Sequence, residues 1–390
     1  MLGGAFLAYT IGASLMHAYT VFLLAFIADF AWTRAQASLA YSVGQLVGGF
    51  SSPLVGSMVD RLGPRRMVLL GGALLTVGLV GSAYATQLWQ MVVLYGVVIT
   101  LGANCIGLLV FVPLLSGLFS RRRGTAIAVL QSGNAFGRAL SAPVSQLLIS
   151  GVGWRSAYLV EAVAMAVVVV PLAALFRPEK KAPPAPLAAG SLPPRQWTLN
   201  EAVRTPQFWL LGLVYGLTSI GSFLVSLHQI AFAVDIGFEP LYAAGVLGMG
   251  AFLALPGVIL TGTLSDHIGR ERAAVLTYGV SIVGVLCALL ITSADQHLLL
   301  WAHACCFGLT WGARGPAITA KTADLFPGPR LGTILGVITI GSGLGAALGS
   351  WAAGWIFDFS GSYKTAFWLS ILAYAAGSLA FWSLRKLKVR

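Results

Sequence analysis

The sequence predicts an all-α membrane protein of twelve transmembrane helices, arranged as two six-helix pseudo-symmetric bundles. Three observations lead there. The 390 residues are 57% hydrophobic and 9% charged, with a mean hydropathy of +0.85; an average soluble domain is about 25% charged, so these charges are too few to clothe a water-soluble surface. Apolar runs of about 20 residues, long enough to cross a hydrocarbon core of about 30 Å as a helix, recur from end to end. Finally, the phrase Gly56-Ser-Met-Val-Asp60-Arg61-Leu-Gly63-Pro-Arg65-Arg66 returns 206 residues later as Gly262-Thr-Leu-Ser-Asp266-His-Ile-Gly269-Arg270-Glu-Arg272, which marks a duplication.

In chain order the predicted spans are 2–29, 39–59, 67–86, 91–119, 124–150, 157–176, 208–234, 241–264, 273–292, 298–320, 331–357 and 365–384. Span 1 is read as a helix rather than a cleaved signal peptide. It lacks a basic leader, is too long, and leads into span 2 after one short loop. Between spans 6 and 7 the hydrophobic pattern breaks over 177–205, where Pro178, Pro183, Pro184, Pro186, Pro193 and Pro194 stand among Lys, Ala and Gly. Such a segment is stiff and solvated and buries no core. It divides the chain into an N-terminal bundle, 1–176, and a C-terminal bundle, 206–390. Inside this linker, 197–203 reads as a short amphipathic helix on the membrane surface, and Pro206 starts span 7.

The repeat extends beyond the opening phrase. Gly124-Thr125, Gly133, Gly137 and Ala139-Leu140 of span 5 match Gly332-Thr333, Gly341, Gly345 and Ala347-Leu348 of span 11, now at an offset of 208. One position differs in a telling way: Arg138 stands where the second copy has Ala346. A charge added to a shared packing template is a functional candidate.

Charge placement gives an orientation, because Lys and Arg stay on the cytoplasmic side during insertion. With both termini inside, most of the 24 Lys and Arg fall on inner loops and tails, including Arg61, Arg65, Arg66, the Arg121-Arg122-Arg123 run and the terminal Arg385, Lys386, Lys388 and Arg390. Only Arg34, Arg155 and Lys364 face outward. The net charge of +12 and pI near 9.9 therefore report topology and contact with a lipid bilayer, and no basic groove module suggests nucleic acid. Cys105, Cys287, Cys305 and Cys306 sit inside apolar spans without metal-ligand spacing and read as small buried hydrophobes. Gly341-Ser-Gly343-Leu-Gly345 mimics a nucleotide-binding loop, yet it lies within a membrane span and follows no strand, so it reads as close helix packing. No cofactor is implied.

Twelve spans, a central linker, and a G-x-x-x-D-R-x-G-x-R-R phrase between spans 2 and 3 with a degraded copy between spans 8 and 9 resemble the major facilitator superfamily. Phe119-Ser-Arg121-Arg122-Arg123, running on to Ala126 and Ser132-Gly133, is similar to the signature joining helices 4 and 5 in its monocarboxylate transporters. Gly312-Ala-Arg314-Gly315-Pro316 and Gly361-Ser-Tyr363 suggest the second half of the same family. The resemblance is closest to the bacterial monocarboxylate transporter and oxalate-formate antiporter branch, which implies a bacterial inner membrane. It also implies a cavity lined by spans 1, 4, 7 and 10, with span 5 at its side. Relatives in that branch bind their anion with a basic residue in helix 8 or 11, and here neither span carries one. The acidic-glycine signature and the lysine of helix 1 are absent too.

An ionised side chain near the bilayer centre costs roughly 2.5 to 3.5 kcal/mol on insertion scales, so it asks for a partner or a task. Arg138, halfway along span 5, and Arg314, halfway along span 10, supply one such charge from each half, and guanidinium fits a carboxylate through two parallel hydrogen bonds. Polar residues at helical spacing accompany them: Gln131, Asn134 and Ser141 in span 5, Thr310 and Lys321 in span 10, Thr10, Ser14 and His17 in span 1, and Tyr215, Thr218, Ser222, Ser226 and Gln229 in span 7. Asn104 lies midway in span 4, and Tyr215 and Trp311 read as wall residues. His17 and His228 are the candidates for proton handling. Glu161 is the main intramembrane acid, with Asp29 and Asp235 at outer ends.

The duplicated phrase reads as a conformational latch: Gly56 and Gly63 permit close approach and a tight turn, Asp60 pairs with Arg65 or Arg66 beside Arg61, and Asp266 and Arg270 repeat the device. Together these features predict a secondary transporter of a small organic anion, a monocarboxylate in the first instance, working by proton symport or anion exchange. A proton-coupled exporter of amphipathic compounds is the runner-up. No nucleophile with its base and no metal cluster suggests an enzyme, a ligand sensor on the same scaffold remains a third class, and the oligomeric state is open, with a monomer plausible.

Overall fold

In the computed structural model, which describes residues 1–118, 123–176, 197–326 and 331–386, the described residues are helical and contain no strand. The helices are α1 (Leu2–Phe30), α2 (Arg34–Ala83), α3 (Leu88–Met91), a π-helix (Val92–Ile99), α4 (Thr100–Asn104), α5 (Leu108–Leu118), α6 (Arg123–Ala174), α7 (Leu199–Val203), α8 (Pro206–Ser226), α9 (Gln229–Ile236), α10 (Pro240–Phe252), α11 (Ala254–Ile268), α12 (Arg270–Leu289), α13 (His297–Trp311), α14 (Arg314–Leu325), α15 (Leu331–Ser360) and α16 (Lys364–Ser383). Eight helical stretches among the described residues are long and apolar enough to cross a membrane. Residues 119–122, with most of the signature before span 5, lie outside the described residues, as do 177–196 of the linker and the terminal Lys388 and Arg390.

Helix starts follow local chemistry. Thr33 caps α2 in a reciprocal pair with Gln36, and Thr198 caps α7 the same way with Glu201, each satisfying backbone N–H groups that the first turn leaves unpaired. Pro206 and Pro240 open α8 and α10 at positions where a missing N–H costs nothing. The short amphipathic helix predicted over 197–203 is α7, and Trp197 packs edge-on against Phe326 at 5.2 Å.

The structure departs from the predicted spans in two ways. Spans 2 and 3 run into each other through a bend at Gly63 (φ 75, ψ 165), and spans 5 and 6 through one at Gly153 (φ 80, ψ 159); a side chain there would be strained, and glycine has none. Conversely, spans 4, 8 and 10 are interrupted near mid-length, and span 7 nearer its end, at Leu227 and His228. Pro256 has no N–H to offer the carbonyl of Phe252, where α10 stops, and Pro316 has none for Gly312, in the gap between α13 and α14.

The duplication is written into the backbone. The described residues with positive φ are Ala31, Gly63, Gly153, Gly237, Gly269 and Gly361, and they form three pairs at the repeat's own offsets: Ala31 with Gly237, Gly63 with Gly269, Gly153 with Gly361. Packing repeats as well. Gly133 and Gly137 of α6 press on α1 between Phe6 and Ser14, while Gly341 and Gly345 of α15 press on Gly212 and Gly216 of α8. Gly343, on the other side of the nucleotide-loop mimic, faces Gln45 and Gly49 of α2, so this cluster packs two helices at once.

Two seams join the halves of the chain: α2 with α15, and α6 with α10. In the second, Gly248 meets the backbone of Ala139, and Phe136 meets Phe252 edge-on at 5.1 Å. Each seam is the repeat image of the other, and the interrupted spans surround the space between them.

Candidate functional site

At mid-depth the two predicted arginines converge on one indole. Arg138 of α6 holds its guanidinium 3.8 Å from the centre of the Trp311 ring, and Arg314 holds its own 5.1 Å from the same ring. Both are buried, at 9% and 8% exposure. Arg314 is anchored: its Nη1 donates to the Thr218 carbonyl at 3.0 Å and to Ser219 Oγ at 3.2 Å. Arg138 has no such anchor; its Nη1 is buried without a hydrogen-bond partner among the described residues, as is the Nε of Arg314. Cation–π attraction of about 0.5 to 2 kcal/mol offsets only part of what burying such a group costs.

The helix break in span 10 creates this arrangement. Trp311 ends α13, the turn at Gly312 and Ala313 follows, and Arg314 is the first residue of α14. The N-terminal end of α14 therefore points its positive dipole at the same depth as the two guanidinium groups. Run length alone does not show this gap, because 298–320 reads as one span.

Cavities meet at these residues. One of about 280 Å³ touches Arg138, Gln131, Asn134 and Trp311; a second of about 350 Å³ touches His17, Asn104 and Asn134; a third of about 510 Å³ touches His17, Asn104, Tyr215, Trp311 and Arg314. They adjoin through shared lining residues, Asn134 between the first two, His17 and Asn104 between the last two and Trp311 between the first and third, and together are called the chamber, which extends from Arg138 toward the end of the molecule where α1 begins. On the other side of Arg138 the space shrinks to about 30 Å³ beside Ser141 and Gln229, room for little more than water. None of the described residues lining these spaces is acidic.

Beyond that narrowing the halves are clamped. Arg34 at the start of α2 donates through Nη2 to both carboxylate oxygens of Asp235, each at 2.7 Å. The backbone N–H groups of Arg34 and Ala35 donate to Asp358 of α15 at 2.8 Å, an acid sitting on a helix N-terminus. The Arg34 guanidinium also lies 4.1 Å from the Phe357 ring and 5.4 Å from Tyr363. One layer deeper, Ser42 and Ser350 share a hydrogen bond of 2.7 Å across the seam.

The sequence profile described as Major Facilitator Superfamily matches residues 1–320. The chain belongs to the Major Facilitator Superfamily. Among curated relatives it is 29% identical to "Monocarboxylate transporter 13" of Bos taurus over 366 residues, covering 93% of this chain and 83% of that one. It is 24% identical to "Uncharacterized MFS-type transporter YcxA" of Bacillus subtilis over 359 residues, 90% and 86% of the two chains. Among solved structures, the nucleoside transporter NupG superposes with a TM-score of 0.80 at 12% identity, covering 98% of each chain. The inward-facing, unoccupied bacterial homolog of the human lysosomal transporter Spinster gives 0.75 at 17% identity, covering 99% and 97%. At those identities the superpositions establish the fold. The protein is a membrane transporter of this superfamily with monocarboxylate transporters among its relatives.

Within this superfamily fold the remaining predicted residues separate into groups. Gln131, Asn134, Asn104, Tyr215 and His17 line the chamber with the arginines, although the Asn104 amide also donates to the Gly48 carbonyl at 3.1 Å and to Ser51 Oγ at 2.9 Å. Gln229 reaches only the narrow side, where its Oε1 lies 3.4 Å from His303 Nε2. His228 is not brought to the chamber: it is fully buried, with Nδ1 3.1 Å from the Tyr363 hydroxyl and Nε2 2.9 Å from the Ser350 carbonyl, beside the Arg34 clamp. Lys321 leaves the polar stripe of span 10 to pair with Glu271 at 2.7 Å. Glu161 accepts from Ser145 Oγ at 2.9 Å, and Asp29 pairs with Arg155.

In the duplicated phrase, Gly63 and Gly269 both adopt the backbone that only glycine takes easily. Gly56 has open space around it, and Arg61, Arg65 and Arg66 are exposed. Arg270 ties α12 to its neighbours, Nη1 donating to Ser265 Oγ at 3.0 Å and Nε lying 3.5 Å from Asp324. The side chains of Asp60 and Asp266 lie outside the described residues.

Sequence reasoning passed over two features. Trp311 is more than a wall residue, and its place immediately before Gly312 puts it beside the break. The Arg34 clamp was missed because its partners lie 201 and 324 residues away; the sparse charge at the ends of spans 1, 2, 7 and 11 was the available signal.

Proposed function

We propose that this protein is a secondary active transporter that carries a small organic anion, a monocarboxylate in the first instance, by alternating access. Two buried guanidinium groups from opposite halves, over one indole and facing a chamber with no acidic residue among its described lining, carry that reading. The names of the monocarboxylate relatives support it. In this reading the cargo carboxylate takes the free N–H of Arg138 and the Nε of Arg314, while Gln131, Asn134, Asn104 and Tyr215 orient it.

The twelve crossings divide into bundles 1–176 and 206–390, tied by 177–205, which rock about the chamber. Most of the described basic residues sit at the end opposite Arg34, so that end and both termini are assigned to the cytoplasm. A bacterial inner membrane stays the proposed location, supported by the Bacillus subtilis relative. The arrangement then corresponds to an inward-facing state with the Arg34 clamp as the closed outer gate. The duplicated phrase, with Gly56, Asp60, Arg61, Gly63, Arg65, Arg66, Asp266 and Arg270, is assigned the opposite, inner latch.

Of the two histidines, His17 borders the chamber and takes the proton-handling role; His228 supports the gate. Purified protein screened by thermal shift against mono- and dicarboxylates should be stabilised by a subset, and Arg138→Gln and Arg314→Gln should lose the response. If both variants respond as the parent does, the anion site is wrong. Imposing a pH gradient on proteoliposomes tests the proton: uptake unchanged by the gradient removes His17 and leaves exchange. The second reading, a proton-coupled exporter of amphipathic compounds, draws on the apolar wall near Arg138, and lipophilic cations binding in place of carboxylates would favour it.

A further inference from the structure

The cavity of about 280 Å³ beside Arg138 has two unlike walls. Its α1 and α6 side is polar, with Tyr9, Gln131 and Asn134 next to the guanidinium. Its other side is apolar and comes from the interrupted α10–α11 segment, with Ala251, Ala254, Leu255 and Val258, closed by the Trp311 ring. Pro256 breaks the helix at the middle of this wall, and small residues flank the break, which keeps the cleft open between the seams.

A two- or three-carbon acid would leave most of this space wet against alkyl side chains. An apolar cavity of roughly 150 Å³ already accommodates benzene. Resting on the anion reading given above, we infer that the cargo is a monocarboxylate with a branched, long-chain or aromatic body. Its carboxylate sits at Arg138 and its body lies in the α10–α11 cleft against Leu255, Val258 and Trp311. Leu255 and Val258 are then specificity determinants that never touch the charge, and the ring of Trp311 serves both ends of the ligand.

The test is a homologous series, acetate, butyrate, hexanoate and phenylacetate, titrated onto the purified full-length protein. Each added methylene buried in the cleft should tighten binding about fourfold, with phenylacetate well above acetate. A series that is flat or weakens with length overturns the assignment. Leu255→Trp, which fills the cleft, should weaken phenylacetate at least tenfold and leave acetate within twofold, whereas Leu255→Ala, which removes part of one wall, should weaken phenylacetate a few-fold and also leave acetate within twofold. Equal loss of phenylacetate and acetate in Leu255→Trp, or a phenylacetate affinity unchanged in both variants, overturns the cleft as the selector. If no member of the series binds the parent, the anion reading itself falls, an outcome distinct from a flat series.

Discussion

Arg34 and Arg138 are two arginines in the same physical situation with opposite endings. Each lies over aromatic rings, Arg34 over Phe357 and Tyr363, Arg138 over Trp311, and each touches the other half of the chain. Arg34 has resident carboxylates in Asp235 and Asp358. Each arginine leaves an Nη1 buried without a hydrogen-bond partner, but Arg138 also has no carboxylate beside it among the described residues. A charge with a built-in partner holds two surfaces together; one without a partner is held ready for something that arrives.

Substitutions can break that contrast or sharpen it. The largest effect is expected from Arg138→Gln. Losing one side of a buried charge pair costs about 2 to 5 kcal/mol, so carboxylate binding should drop by roughly 30-fold or more, read by titration, while the thermal stability of the unliganded protein should hold or rise. Arg314→Gln should cost less binding, on the order of tenfold, and should also lower unliganded stability, because the hydrogen bonds to Thr218 and Ser219 go with it. An equal, purely ligand-dependent loss in both variants would erase the distinction between an anchored and a free guanidinium.

Asp235→Asn addresses the clamp. With the native cysteines replaced by serine, a cysteine substituted for Ser42 should react a few-fold faster with a membrane-impermeant maleimide once the Arg34 pair is weakened. An unchanged rate would mean that Asp358 and the seam beneath suffice. The smallest effect concerns the backbone leading into the clamp. Ala31 adopts φ 52 where its repeat partner is Gly237, a conformation costing an alanine about 1 kcal/mol or slightly more. Ala31→Gly should therefore raise the melting temperature by a degree or two and leave the Ser42 labelling unchanged.

The helical membrane class and the duplication were legible because both rest on local signals, apolar run length and a repeated phrase. Arg138 was legible for a related reason: its repeat partner is Ala346, so the charge stood out against the template. What the sequence hid is tertiary. His17 and His228 look alike in their own spans, and only Tyr363 and Ser350, more than 120 residues away in sequence, separate a histidine on the chamber from one bonded through both ring nitrogens. The gap between Trp311 and Arg314 was hidden because 298–320 has the length of one crossing, although Pro316, four residues beyond Gly312, marked it. Pro256 marked the α10–α11 break in the same way.

Electrically, the guanidinium resting on Trp311 would make the unloaded form of the proposed carrier a charged shuttle. As the halves rock, the potential drop moves from one side of Arg138 to the other, and each elementary charge that crosses the full drop is worth about 2.3 kcal/mol per 100 mV. A bound monoanion cancels one such charge. Voltage should therefore weigh on the empty return more heavily than on the loaded passage.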